Sequence, residues 1–402
     1  GSAGVEAMVK MKRRFFAQAE YQGAWQYFPD HLQQFTHNRE VLPGMGEAFG
    51  SNVPQFAHYW TASAGLKMGN HFQLDVGRDK HFWGDGYRSM ILSHNAAPYP
   101  YMRLTTKIWR VKYVNLWTVL KDISTDQTRT RYMSAHALSW NVTPAFNLSL
   151  FESVVWQEKD SLSQRGFEPS YLNPFIFYRP VEFAQGSGDN VLLGLSARVK
   201  VYDYATLYGQ IYFDEFLMAE LRRGEGWWAN KFAVQLGAKA MDIASTGTNL
   251  LTEINLARPF TYTHGSVVQA YGHLNQALAH PLGTNFFEWL VSGSYTHKNL
   301  RYTFHHVLAY FGEDPDGLNY GTDIFKSYRN PALLYGNKIG QGTKNTLSTL
   351  RLGVEKDVNW GVPVVLNAEL GLRKLTNQYD NPLDTWLMIG IRTPMVRPYR
   401  DF

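Results

Sequence analysis

Residues 191–202 read VLLGLSARVKVY, and their alternation decides the fold class. Val191, Leu193, Leu195, Ala197, Val199 and Val201 fall on one side. Leu192, Gly194, Ser196, Arg198, Lys200 and Tyr202 fall on the other. Successive side chains of a strand point to opposite faces, so this segment is a strand with one apolar and one wet face. The pattern recurs over 231–240, where Phe232, Val234, Leu236 and Ala238 oppose Lys231, Gln235 and Lys239. It recurs again over 300–310, 362–373 and 385–393. Strands of soluble proteins average about 5–6 residues, whereas a tilted membrane-spanning strand needs about 9–11. The longest of these runs belong to the second class, and their wet faces carry full charges in mid-strand. A sandwich interior rejects such charges, but a water-filled or plugged lumen accepts them.

Composition points the same way. The chain has 402 residues, 45% apolar and only 18% charged, with 24 Tyr, 24 Phe and 12 Trp. A barrel places such aromatics in girdles at its two lipid–water boundaries. No stretch approaches the roughly 18 apolar residues of a spanning helix, and a closed barrel is the other structure that satisfies its backbone in lipid. Residues 1–14 carry basic residues with no apolar run behind them, which predicts a processed or engineered start rather than a signal peptide. Cysteine is absent, which excludes disulfide scaffolds and thiolate metal sites. The net charge of +5 comes without blocks of like charge, so no nucleic-acid partner is expected.

These features predict one all-β domain over 1–402, a transmembrane antiparallel β-barrel of the outer membrane. About 16 strands are expected, in a range of 14–18, with the lumen plugged by loops or a short N-terminal element. Residues 23–54 lack alternation and read as that plug or an irregular insertion. Long connections are expected over 79–105, 157–189 and 313–345, outside the cell or folded into the lumen. Pro394 and Pro398 leave 392–402 as a tail after the last strand.

The densest candidate segment is 77–100, GRDKHFWGDGYRSMILSHNAAPYP. Gly84 and Gly86 allow turns that other residues resist. Asp79, Lys80, Asp85 and Arg88 can make charge-assisted hydrogen bonds, and Trp83 and Tyr87 offer flat faces to sugar rings or to protein. With His94 and Asn95 they either contact a ligand or lock the loop inside the barrel, the second being favoured. A second cluster holds Asn275, Gln276, His280, Asn285 and Glu288. The spacing of His280 and Glu288 matches no metal pattern, and structural hydrogen bonding is expected instead. No metal and no cofactor are predicted. His305 and His306 are adjacent on a strand and face opposite sides. His264 and Ser266 are close, but no nucleophile-elbow pattern surrounds Ser266, so no catalytic residue is expected.

Three segments carry a family resemblance: GDGYRSMILSHNAAPYP at 84–100, HLNQALAHPLGTNFFEW at 273–289 and DNPLDTWLMIGIRT at 380–393. They resemble the signatures of the Wzi family of capsule-assembly outer-membrane barrels, and more closely those of the gliding motility protein RemB and its relatives. Asp401 and Phe402 resemble the end of that group. The resemblance implies an integral protein of a gram-negative outer membrane, not an enzyme. Its implied role is to bind or anchor surface or capsular polysaccharide, or to support a gliding-motility or type IX secretion-linked envelope assembly. Implied partners are outer-membrane lipids and lipopolysaccharide, surface polysaccharide, and other outer-membrane, secretion or motility proteins. The alternatives are a pore or transporter with a charged lumen and, third, an outer-membrane lipid hydrolase.

Overall fold

Long alternating segments must pair with one another to satisfy their backbones, and in this chain each pairs with the next. The computed structural model describes residues 2–11, 14–48, 55–124, 127–159, 165–175, 188–215, 217–359 and 363–392. The first strands are β1 (Ser2–Met11) and β2 (Phe15–Gln26), followed by helix α1 (Asp30–Arg39) and a small hairpin of β3 (Val41–Leu42) and β4 (Gly46–Glu47). The wall continues through β5 (Gln55–Met68), β6 (Phe72–Asp79), β7 (Tyr99–Ile108), β8 (Val111–Asp122) and β9 (Arg129–Asn141). Next come β10 (Phe146–Gln157), β11 (Asn190–Tyr202), β12 (Ala205–Phe213), β13 (Phe232–Ala240) and β14 (Thr248–Ala257). After a second small hairpin, β15 (Gly272–His273) and β16 (Gln276–Ala277), the wall resumes with β17 (Phe286–His297) and β18 (Leu300–Glu313). It ends with β19 (Thr343–Asn359), β20 (Pro363–Thr376) and β21 (Leu383–Arg392).

Among the described residues seventeen strands form one sheet, inside the expected range, and sequential neighbours pair antiparallel from β1 to β21. The strand over 2–11 was not anticipated, because its SAGVEAMVKM sequence alternates weakly. Among the described residues no helix is long and apolar enough to cross a membrane. The sheet curls into a barrel: the connection after β6 reaches inward to residues of β10, β12, β13, β14, β17 and β18.

The two faces divide as the alternation requires. Leu193, Leu195, Val199, Leu236, Ile254, Phe304, Leu352 and Ile389 point outward and are exposed. Gln210, Gln235, Glu253, Asn255, Glu288 and His305 point inward and are buried. One outward patch departs from this rule: Asn115, His136 and Glu152 lie at outward positions yet are out of solvent. There His136 Nδ1 is 2.6 Å from Asn115 Oδ1. Beside them Trp156 packs on Tyr171, and Trp117 and Ser134 each donate to the Tyr171 carbonyl at 2.9 Å. The described part of the 157–189 connection therefore folds against the outside of the wall, a third course beside the two expected.

Short and long connections fall at opposite rims with few exceptions. At one rim the strands are joined by tight turns, as between Ile108 and Val111, Tyr202 and Ala205, and His297 and Leu300. Nearly all the opposite connections are long, including 80–98, 158–189, 258–285 and 314–342. Outer-membrane barrels turn tightly on the periplasmic side and carry long loops outside. Exposed aromatics flank the apolar band at both levels: Trp109, Tyr202, Tyr204, Tyr295 and Tyr302 near the turns, and Trp25, Phe56 and Trp60 near the loops. The segment expected as irregular over 23–54 begins inside β2, continues as α1 and the β3–β4 hairpin, and from 49 lies outside the described residues. The 79–105 connection is shorter than expected, because β7 starts at Tyr99. The tail after β21 and the terminal Asp401 and Phe402 also lie outside the described residues.

Candidate functional site

The loop 80–98 folds into the lumen and holds its own shape before it meets the wall. Trp83 N–H donates to the Leu92 carbonyl (2.9 Å), making a small bridge. The Ser89 hydroxyl inside this bridge donates to the Trp83 carbonyl (2.6 Å) and accepts from the Ile91 and Leu92 amides. Met90, Ile91 and Leu92 then form an apolar core with Leu116, Leu120, Met133, Phe151 and Leu192 of the wall and Tyr262, Tyr271 and Leu278 of the 258–285 loop.

Polar side chains of the inner wall receive the charged end of the loop. The Tyr87 and Arg88 amides donate to the Glu253 carboxylate, which also accepts from the Tyr208 hydroxyl at 2.6 Å. The Arg88 guanidinium pairs with Glu288 at 3.1 Å, both side chains being almost fully buried. Glu288 accepts further from Asn255 (2.9 Å) and His280 (2.8 Å). His280 Nδ1 accepts from the Leu282 amide, so its Nε2 carries the proton given to Glu288. Burial holds the His280 imidazole below its ordinary pKa. A buried carboxylate with this many donors is fully satisfied and rigid, which is what a structural lock requires.

The remaining candidates extend the same network. Asp85 pairs with Arg198 at 3.1 Å, and its carbonyl accepts from Lys239. Trp83 packs edge-on against Phe151, and Tyr87 lies against His305. Asp79 accepts from the Lys80 amide, and Lys80 donates to the His94 carbonyl at 3.0 Å. The His94 side chain is exposed near Phe82. Burial pushes neighbouring His81 down to about 3.

Two of the three matching segments meet here. Asn95 donates to the Ala277 carbonyl (2.9 Å), and Ser93 N–H donates to the Leu278 carbonyl (2.8 Å). The Tyr262 and Tyr271 hydroxyls donate back to the Met90 and Ile91 carbonyls at 2.7 and 2.9 Å. Gln276 accepts from the Gly44 amide (2.6 Å), and Asn275 donates to the Arg39 carbonyl (3.2 Å), tying α1 and its hairpin to the same assembly. Asn285 binds the 314–342 loop through Gln341 and Gly340. The lumen is therefore filled by four parts of the chain: α1 with its hairpin, 80–98, 258–285 and 314–342.

Gly84 and Gly86 are not required by turn conformation. Neither Gly84 nor Gly86 adopts a positive φ. A Cβ at Gly86 would instead run into the Glu253 carboxylate and the Tyr208 ring, and one at Gly84 into the Gln210 amide. Close approach to the wall is the requirement. Sequence reasoning also missed Tyr208, Gln210, Glu253 and Asn255. Their one available signal was polarity on the wet face of a strand, shared by many residues without a loop partner.

The serine and metal readings gain nothing here. The Ser266 hydroxyl donates to Gln157 (2.8 Å), while His264 accepts only the Ser266 amide. No cluster of three or more potential metal ligands occurs among the described residues. His305 and His306 do face opposite ways: His305 meets Tyr87 in the lumen, and His306 meets Ser348.

The barrel has a solved structural counterpart. The chain is similar in structure to Escherichia coli Wzi, an outer-membrane protein involved in group 1 capsule assembly and described as a carbohydrate-binding β-barrel. The TM-score is 0.62 at 13% identity, over 99% of this chain and 78% of that one. The chain shares the fold of the Wzi barrel. Acinetobacter baumannii OccAB2 gives 0.48 at 11% identity (94% and 86% covered) and Pseudomonas aeruginosa OprD 0.47 at 8% (98% and 95% covered). No family model and no curated protein matches the chain. The closeness to RemB, and with it the gliding and secretion roles, therefore finds no support in these likenesses.

Proposed function

We propose that this chain is a non-enzymatic barrel of a gram-negative outer membrane that binds or anchors polysaccharide at the cell surface. The observation that carries the reading is the filled lumen. The 80–98 and 258–285 loops share an apolar core, and Arg88 of the first forms a buried ion pair with Glu288 of β17, in the space a pore would leave open. Such an interior argues against the pore alternative. It favours a scaffold whose outer loops are held rigid for recognition. The shared fold with a carbohydrate-binding barrel supports the same assignment, and lipopolysaccharide is the natural lipid neighbour of the outer leaflet.

The candidate residues around Arg88 and Glu288 serve, in this reading, to lock the lumen rather than to hold a ligand. Two measurements on detergent-purified protein test it. Planar bilayers should show near-silent conductance, and surface glycans should bind. Steady porin-like conductance, or no affinity for any envelope glycan, would sink the proposal. A role in an envelope assembly rests on the RemB-like motifs alone, and pull-downs returning no envelope protein would remove it.

A further inference from the structure

The third matching segment, 380–393, takes no part in the lumen core. It begins at a cleft of about 430 Å³ between α1 and the inner faces of β18 and β20. Glu313 closes β18, and Asn377 and Asp380 belong to the connection after β20, so the cleft lies at the loop-bearing rim. Its size falls within the usual range for small-ligand sites, about 300–1,000 Å³.

The lining is unusually free. Gln34 and Asn38 of α1 and Glu313 of β18 face the cleft, and their side chains have no hydrogen-bond partner among the described residues. Arg373 has a buried Nε with no partner among the described residues, and its guanidinium lies 3.7 Å from Asp384. Phe35 and Phe311 supply flat apolar surface on two sides. Amides that donate and accept, a carboxylate acceptor, a guanidinium donor and aromatic faces are the groups that read sugar hydroxyls and sugar ring faces.

Charge then narrows the ligand. Glu313 and Asp380 line the cleft with Arg373, Asp384 lies 3.7 Å behind that guanidinium, and burial keeps His31 neutral beside Asp384. An acidic sugar would bring its carboxylate into a site that already carries an excess of negative charge.

We propose that this cleft binds one or two units of a saccharide without acidic groups and discriminates against uronates. The inference rests on the surface-polysaccharide reading and adds to it a place and a selectivity. The test applies the full chain in detergent to an array of neutral, amino and uronate oligosaccharides, followed by calorimetry with the best ligand. Ligands without acidic groups should bind at least tenfold more tightly than uronates. Asn38→Trp and Gln34→Trp, at exposed positions of α1, should weaken binding at least tenfold while leaving gel mobility and bilayer conductance unchanged. Glu313→Gln should narrow the gap to uronates. Binding that ignores both tryptophans places the glycan elsewhere and overturns the cleft, while the surface-glycan reading survives. A preference for uronates overturns the selectivity, and an array with no binding at all overturns both.

Discussion

The guanidinium of Arg88 and the carboxylate of Glu288 meet at 3.1 Å inside the barrel, 200 residues apart in sequence and almost completely out of water. Breaking a buried pair by removing one partner costs about 3–5 kcal/mol, because the remaining charge is left uncompensated. Arg88→Met should therefore lower the temperature at which the folded barrel shifts mobility on a gel, and should raise conductance in planar bilayers. Arg88→Met combined with Glu288→Gln should recover much of the loss. Equal melting of wild type and single variant would show that this pair does not hold the plug.

Gly86 sits where any side chain would displace the Glu253 carboxylate. Overpacking of this kind costs about 1–3 kcal/mol. Gly86→Ala should destabilise the barrel in urea titrations monitored by tryptophan fluorescence. Gly188→Ala, with open space around its Cβ, serves as the control and should change nothing. If the two variants behave alike, close approach is not the reason for glycine at 86.

The docking of α1 should depend on pH through His31, which bonds Asp384 at 2.8 Å and also feels Arg373 and Asp30. Burial depresses its pKa below the ordinary value of 6.5, so the undocked helix takes up a proton first. The stabilisation is fully present above pH 6.5 and declines as the pH falls below it. Protection of the α1 amides, measured as exchange relative to the intrinsic rate at each pH, should fall between pH 7.5 and 5, and His31→Gln should flatten that dependence. Protection that stays constant over this range in the wild type would contradict this sign.

Leu236 occupies the middle of β13 on the outward face and is 62% exposed, whereas its neighbour Gln235 is wholly buried. If the outward face meets lipid, Leu236→Arg should cost about 2–4 kcal/mol in bilayers, as charges do at the midplane of outer-membrane barrels. Leu236→Phe should be tolerated. The readout is the folded fraction in lipid vesicles across a urea series, and a harmless arginine would argue against a lipid-facing strand.

The wall was legible because alternation is a local property. The 191–202 run contains its whole argument in twelve residues, and β11 spans Asn190–Tyr202. The interior was legible only by type. Arg88 and Glu288 both stood out, but nothing near either residue in sequence names the other as its partner. Glu253 was invisible, since TNLLTEINLA reads as one more strand until the register places its carboxylate under Tyr87. Helix α1 was legible only as a short helical or irregular stretch within 23–54, for a different reason. Pro29 precedes it without a side-chain cap, and its docking depends on contacts with Asp323, Asn275 and Asp384 far along the chain. Tertiary partners stabilise it more than helix propensity does.

The loop that fills the lumen belongs to the first quarter of the chain, but the wall side chains Gln210 and Glu288 that bind Met90 and Arg88 come 120 and 200 residues later. A nascent chain ending anywhere before β17 would hold Arg88 with no Glu288 to receive it. Contacts of such long sequence separation form late and together, since closure entropy is lost before any of them is gained. Wall and contents thus mature as one cooperative unit, with the last third of the polypeptide completing what the first third began. Truncation at a tight turn would consequently yield an unfinished chain rather than a smaller barrel.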